Sequence, residues 1–138
     1  MAEGEIPRPV VLVVEDESII RMALVSHLRR VGFIVRECNR ADGAVDMLMA
    51  GKGIDAVVTD VRMPGNMDGL SLISWMRDNC EGTPVIVTSG YVTQEDARKA
   101  NPLAVSLQSP TFLQPSLLSC RLFSEGHCDR RWPGSNSF

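Results

Sequence analysis

The sequence has no apolar run approaching the roughly 20 residues that span a bilayer, no CxxC pair, and only two lysines, Lys52 and Lys99. The first absence argues against a membrane-spanning helix. The second removes the commonest zinc and redox signatures. An excess of basic charge is also missing: the formal net charge is −3, which disfavours bulk nucleic-acid binding. Met1 to Pro9 is polar and carries acids, so it does not resemble a secretory signal; a cytoplasmic location is expected. The four cysteines, Cys38, Cys80, Cys120 and Cys128, are scattered and read as isolated thiols in a reducing compartment. Cys120, His127 and Cys128 would make three zinc ligands, with no fourth evident. At 138 residues, one domain with a real core is expected.

What the chain does have is three polar or acidic sites, each at or just beyond the end of an apolar run. Val10 to Val14 runs into Glu15-Asp16-Glu17, Ala56 to Thr59 into Asp60, and Val85 to Thr88 into Ser89-Gly90. Short β-branched runs bounded by turn residues read as buried strands of a parallel sheet. In open α/β sheets, ligands bind outside the carboxyl ends of such strands. Glu15, Asp16, Asp60 and Ser89 are therefore expected around one crevice. Clustered carboxylates with a nearby hydroxyl suit a hard cation such as Mg2+ and a phosphoryl group. A positioned carboxylate can attack a phosphoryl group when a metal neutralises the phosphoryl oxygens. On this reading Glu15 and Asp16 hold the metal and Asp60 both binds it and attacks. The Arg62 carbonyl adds a ligand where the chain turns, and Ser89 donates a hydrogen bond. Pro64 and Gly69 fix the loop beside the site.

Between the strands, helical periodicity predicts helices. The first spans about Ser18 to Arg30, capped by Ser18, with Ile19, Ile20, Ala23, Leu24, Leu28 and Val31 as its apolar stripe and Gly32 ending it. Phe33 to Val35 is expected as a second strand. Asn39 is expected to cap a second helix that buries Ala41, Ala44, Val45, Leu48 and Met49. The third strand is placed at Asp55 to Asp60 and the third helix at about Leu70 to Asp78, with Asp68 satisfying the loop before it. Thr93 with Asp96 opens a fourth helix. His27 reads as a structural or surface residue and Trp75 as core or edge packing. This alternation argues for a doubly wound parallel α/β sheet. After about Asn101 the texture changes: residues 102–138 hold seven of the twelve serines and no lysine. Leu103 to Leu107 is a candidate fifth strand, Leu117 to Phe123 a candidate fifth helix, and the end a polar tail.

The segments VLVVEDE, VVTDVRMPGNMDG and PVIVTSGY, in that order and spacing, resemble the receiver domain of bacterial two-component response regulators, over about residues 8–101. The resemblance implies a flavodoxin-like fold with strand order 2-1-3-4-5. It also implies a stand-alone module that takes a phosphoryl group from a sensor histidine kinase or phosphotransfer protein, with Mg2+ as cofactor, and signals to a downstream protein. Carried over, Asp60 is the phosphoacceptor, Glu15 and Asp16 the acidic metal pair, Arg62 the backbone-carbonyl ligand and Ser89 the switch hydroxyl. Catalysis would be limited to self-phosphorylation and autodephosphorylation. The expected divisions are a tail at 1–8, a receiver at 9–123 that is atypical over 103–123, and a polar tail at 124–138. The family carries a lysine at the end of strand five, before a proline. Here Ser109-Pro110 keeps the proline and loses the charge, and the family's switch aromatic falls on Ser106. The last third is therefore either divergent or out of its ancestral reading frame. The alternatives are a pseudo-receiver that docks partners without phosphorylation and a homo-oligomer that buries Leu113, Leu117 and Phe123. A phosphatase of the haloacid dehalogenase type would need an Asp where Arg62 stands.

Overall fold

The computed structural model describes residues 8–51, 53–61, 67–80, 82–88 and 93–107, and of residues 105–107 the backbone only. Five strands alternate with four helices: β1 Val10–Val14, α1 Ser18–Val31, β2 Ile34–Cys38, α2 Ala41–Met49, β3 Ala56–Thr59, α3 Gly69–Asn79, β4 Val85–Thr88, α4 Gln94–Ala100 and β5 Ala104–Leu107. All pairings are parallel and the order is β2-β1-β3-β4-β5, the flavodoxin-like arrangement expected.

The strands are continuous apolar runs because both faces of the sheet are covered. Successive side chains alternate between the two faces. Leu12, Val14, Val57, Val85 and Val87 join one core with Ala41 and Ala44 of α2, Leu72, Ile73 and Met76 of α3, and Ala97 of α4. Val11, Val13, Ala56, Val58 and Ile86 join the other with Leu24, Val25 and Leu28 of α1 and with Phe33 and Val35. Helices thus lie on both faces, and the strand order reverses between β1 and β3. That reversal is a topological switch point, where the loops leaving two adjacent strands diverge and open a crevice.

Several sequence expectations are corrected. Ser18 is the first helical residue, not the cap: the Arg21 amide donates to the Glu17 carbonyl at 2.9 Å, so Glu17 stands at the cap. For the same reason Arg40, not Asn39, caps α2, with the Ala44 amide on its carbonyl at 3.1 Å. Neither cap supplies a side-chain hydrogen bond. The stripe on α1 is narrower than expected. Leu24, Val25 and Leu28 are buried, whereas Ala23 is exposed and Ile19 is 75% exposed, because a surface helix turns only one face to its sheet. Met49 is 72% exposed, since it lies a further 100° round α2 from Leu48 and at the helix end. β2 begins at Ile34 rather than Phe33 and runs on to Cys38. Other expectations hold. Gly32 ends α1 in the left-handed region at φ 116°, and the Thr93 hydroxyl accepts from the Asp96 amide at 3.1 Å. The candidate fifth helix, the tails, Ser109-Pro110 and the candidate zinc ligands lie outside the described residues.

Candidate functional site

The site is built by register. Val14 pairs with Thr59 across β1 and β3, and the Asp60 amide donates to the Val14 carbonyl at 3.1 Å. Glu15 and Asp60, one step further along each strand, are therefore brought side by side at the switch point. On the other flank the Glu15 amide donates to the Cys38 carbonyl of β2 at 3.1 Å. Asp16 follows where the chain turns toward α1. One ligand oxygen from each of Glu15, Asp16 and Asp60 lies within 4.8 Å of the others.

The three carboxylates differ in environment. Asp16 is exposed, Asp60 half-buried and Glu15 only 4% exposed. The Val61 amide donates to Asp60 Oδ1 at 2.7 Å, which orients that carboxylate. The Glu17 amide donates to Glu15 Oε1 at 3.2 Å. Burial pushes the Glu15 carboxyl up from 4.5 to about 7; the Glu17 hydrogen bond opposes this, and the neighbouring Asp60 and Asp16 charges add to it. One hydrogen bond thus does not offset the desolvation and like-charge repulsion of the cluster. A bound cation would relieve that repulsion. The donor set fits one class: every side-chain donor is a hard carboxylate oxygen, which suits Mg2+ rather than a soft metal. Oxygens around an octahedral ion at ~2.1 Å lie roughly 3 Å apart when adjacent and roughly 4.2 Å apart across it. A span of 4.8 Å closes onto such an ion with small side-chain movements.

The loop beyond Asp60 returns to the site through Gly69. Its amide donates to the Val61 carbonyl at 2.8 Å. A β-carbon at Gly69 would collide with the Asp60 carbonyl oxygen and lie 2.7 Å from Val61 Cα, so only glycine permits this approach. Asp68 caps α3 by accepting from the Ser71 amide at 2.8 Å. The Thr59 hydroxyl donates to the Asp60 carbonyl at 2.9 Å. Together these contacts hold the backbone on both sides of Asp60.

Of the residues expected at the site, Glu15, Asp16 and Asp60 converge, and Gly69 lies beside them. Ser89, Arg62 and Pro64 lie outside the described residues. Glu17 is exposed at the start of α1. His27 is half-buried on α1, its pKa lowered by burial and by Arg30. Trp75 packs against the core. Cys38 and Cys80 are free thiols, both pushed up by burial. One residue at the site escaped sequence reasoning. Arg21 Nη1 donates to the Glu15 carbonyl at 2.9 Å and its Nε to Glu37 Oε1 at 3.2 Å. Its only sequence signal is a basic residue set between apolar neighbours early in α1.

A family model described as the response regulator receiver domain matches residues 11–106. The chain is 38% identical over 92 residues to the transcriptional activator protein PfeR of Pseudomonas aeruginosa, covering 66% of this chain and 29% of that one. It is 31% identical over 137 residues to the regulator of RpoS of Escherichia coli K12, covering 88% and 40%. The chain therefore spans less than half the length of either curated relative. The crystal structure of a response regulator receiver protein from Sinorhizobium medicae matches with a TM-score of 0.74 and 27% identity, over 85% of this chain and 93% of that one.

Proposed function

The chain belongs to the response regulator receiver family, and from that premise we propose that it is a phosphoacceptor module of a two-component phosphorelay. Asp60 receives the phosphoryl group from a histidine kinase, a phosphotransfer protein or a small acyl phosphate. One Asp60 carboxylate oxygen bonds to phosphorus while the bond to the leaving imidazole or carboxylate breaks, leaving an acyl phosphate on Asp60. Glu15, Asp16, Asp60 and the Arg62 carbonyl would hold Mg2+, which neutralises charge on the phosphoryl oxygens when bound. Glu15 and Asp16 keep their carboxylates on the ion side of the crevice, and the Val61 amide keeps Asp60 aimed. Ser89 would then donate to the phosphoryl group and transmit the change.

The observation that carries this reading is the convergence of Glu15, Asp16 and Asp60 at the β1–β3 switch point. No helix among the described residues is long and apolar enough to cross a membrane. The proposed module runs over residues 9–123, acts in the cytoplasm, and turns over no external substrate beyond its own phosphorylation and dephosphorylation. A second reading, phosphorylation-independent docking of a protein partner, draws on the lack of any lysine beyond Lys99. Without that cation, modification of Asp60 would couple weakly to output.

Intact mass after incubation with Mg2+ and a small acyl-phosphate donor tests the proposal. The chain should gain one phosphoryl group, and Asp60→Asn should gain none. No gain in the unsubstituted chain would leave the docking reading in its place.

A further inference from the structure

The acidic pair is only as well placed as the main chain of Glu15. Its amide is held by β2 through the Cys38 carbonyl, and its carbonyl is held by Arg21 from α1. The same guanidinium is anchored at its far side by Glu37 near the end of β2. One planar group thus ties β1, β2 and the first turns of α1 together where the acids sit. Arg29 also approaches Glu37, at a looser 3.9 Å, and donates to the Val35 carbonyl at 3.4 Å rather than to Glu15. The two arginines differ in shielding as well: the Arg21 side chain is 20% exposed and that of Arg29 57%. The Arg21 fork is partly shielded and one of its acceptors is a main-chain carbonyl, so it restrains its neighbours more than a wholly exposed ion pair would.

We propose that Arg21 is a positioning residue for the metal-binding acids, holding Glu15 and Asp16 in the arrangement that takes up Mg2+. The inference rests on the phosphoacceptor reading above. Arg21 touches the Glu15 carbonyl, not the carboxylate, so it orders the ligands without neutralising them. Groups that orient metal ligands typically change affinity by about 10–100-fold when removed. Lysine keeps the charge but not the two-acceptor fork.

Calorimetric titration of the full chain with MgCl2 tests this, with urea midpoints measured without Mg2+ as a check on folding. Arg21→Met should weaken Mg2+ binding about tenfold, and Arg21→Lys should recover only part of it. Arg29→Met should leave the affinity unchanged. Acyl-phosphate labelling of Arg21→Met should return to the unsubstituted level at saturating Mg2+, which a general folding defect would not allow. Equal affinity in Arg21→Met, full recovery by lysine, or an equal loss in Arg29→Met would each overturn the inference while leaving the phosphoacceptor reading standing. If Arg21→Met does not fold, Glu37→Gln loosens the same fork from its outer end. A smaller weakening there supports the inference, and none overturns it. No Mg2+ uptake by the unsubstituted chain would overturn both proposals.

Discussion

Asp55 and Asp60 bracket the same short strand, β3, and in the sequence each is an aspartate beside one valine-rich run. Their backbones do the same work: each donates its amide to β1, Asp55 to the Val10 carbonyl at 2.8 Å and Asp60 to the Val14 carbonyl at 3.1 Å. Their side chains differ in company. Asp55 Oδ2 accepts the Val10 amide at 2.8 Å, which closes a reciprocal pair and satisfies the first donor of β1. Asp60 accepts the Val61 amide and also stands in the group with Glu15 and Asp16. One carboxylate completes a hydrogen-bond ladder; the other contributes to a charge cluster that a cation would relieve. An acid at a strand end is therefore informative by what shares its end of the sheet, and the carboxyl end at a switch point is where other acids gather.

Gly69 offers the largest test of that difference. Any side chain there drives into the Asp60 carbonyl, and overpacking against backbone is relieved only by moving it. Gly69→Ala should cost about 3 kcal/mol, at the upper end for overpacked sites. Because the displaced atoms belong to Asp60, phosphorylation should also be slowed in the fraction that stays folded. Urea unfolding and acyl-phosphate labelling on one preparation check both. A variant with unchanged stability would mean the loop has another path past Asp60.

The strands and the three acids were legible because they depend on local pattern: β-branched runs, turn residues, and the alternation that a doubly covered sheet imposes. The caps of α3 and α4 were legible too, through Asp68 and Thr93; those of α1 and α2 were not, because Glu17 and Arg40 hold their positions without side-chain hydrogen bonds, so no cap preference marks them. Long-range side-chain contacts were equally silent. Asn101 donates to the Ile73 carbonyl, 28 residues away, and accepts from the Leu103 amide, tying the turn before β5 to α3. Nothing in the local sequence announces that, nor that Arg21 reaches Glu15.

The acid cluster also predicts an opposite pH response from that of an ordinary paired carboxylate. Glu15 has a folded pKa of about 7 against 4.5 for the free group. Between these values the folded state binds more protons than the unfolded one, so stability falls as pH rises. The contribution is full below pH 4.5 and is lost as pH passes about 7. It amounts to about 3 kcal/mol at most. With a chelator present, Glu15→Gln should flatten this fall, and the gap between variant and unsubstituted chain should widen between about pH 5 and about pH 8. Parallel profiles would remove the charge conflict from the site.

At the other end of β3 the expected effect is smaller and of a different kind. Asp55→Ala leaves the Val10 amide without its side-chain acceptor, which should cost about 1–2 kcal/mol. Asp55→Asn keeps an acceptor oxygen and should recover most of it. Neither should change Mg2+ affinity, because Asp55 lies roughly 16 Å along the strand from Asp60. Calorimetry beside urea midpoints separates the two effects. A loss of Mg2+ affinity in folded Asp55→Ala would show that β3 transmits strain along its length. The acid crevice would then depend on the far end of the sheet as well as on its own neighbours.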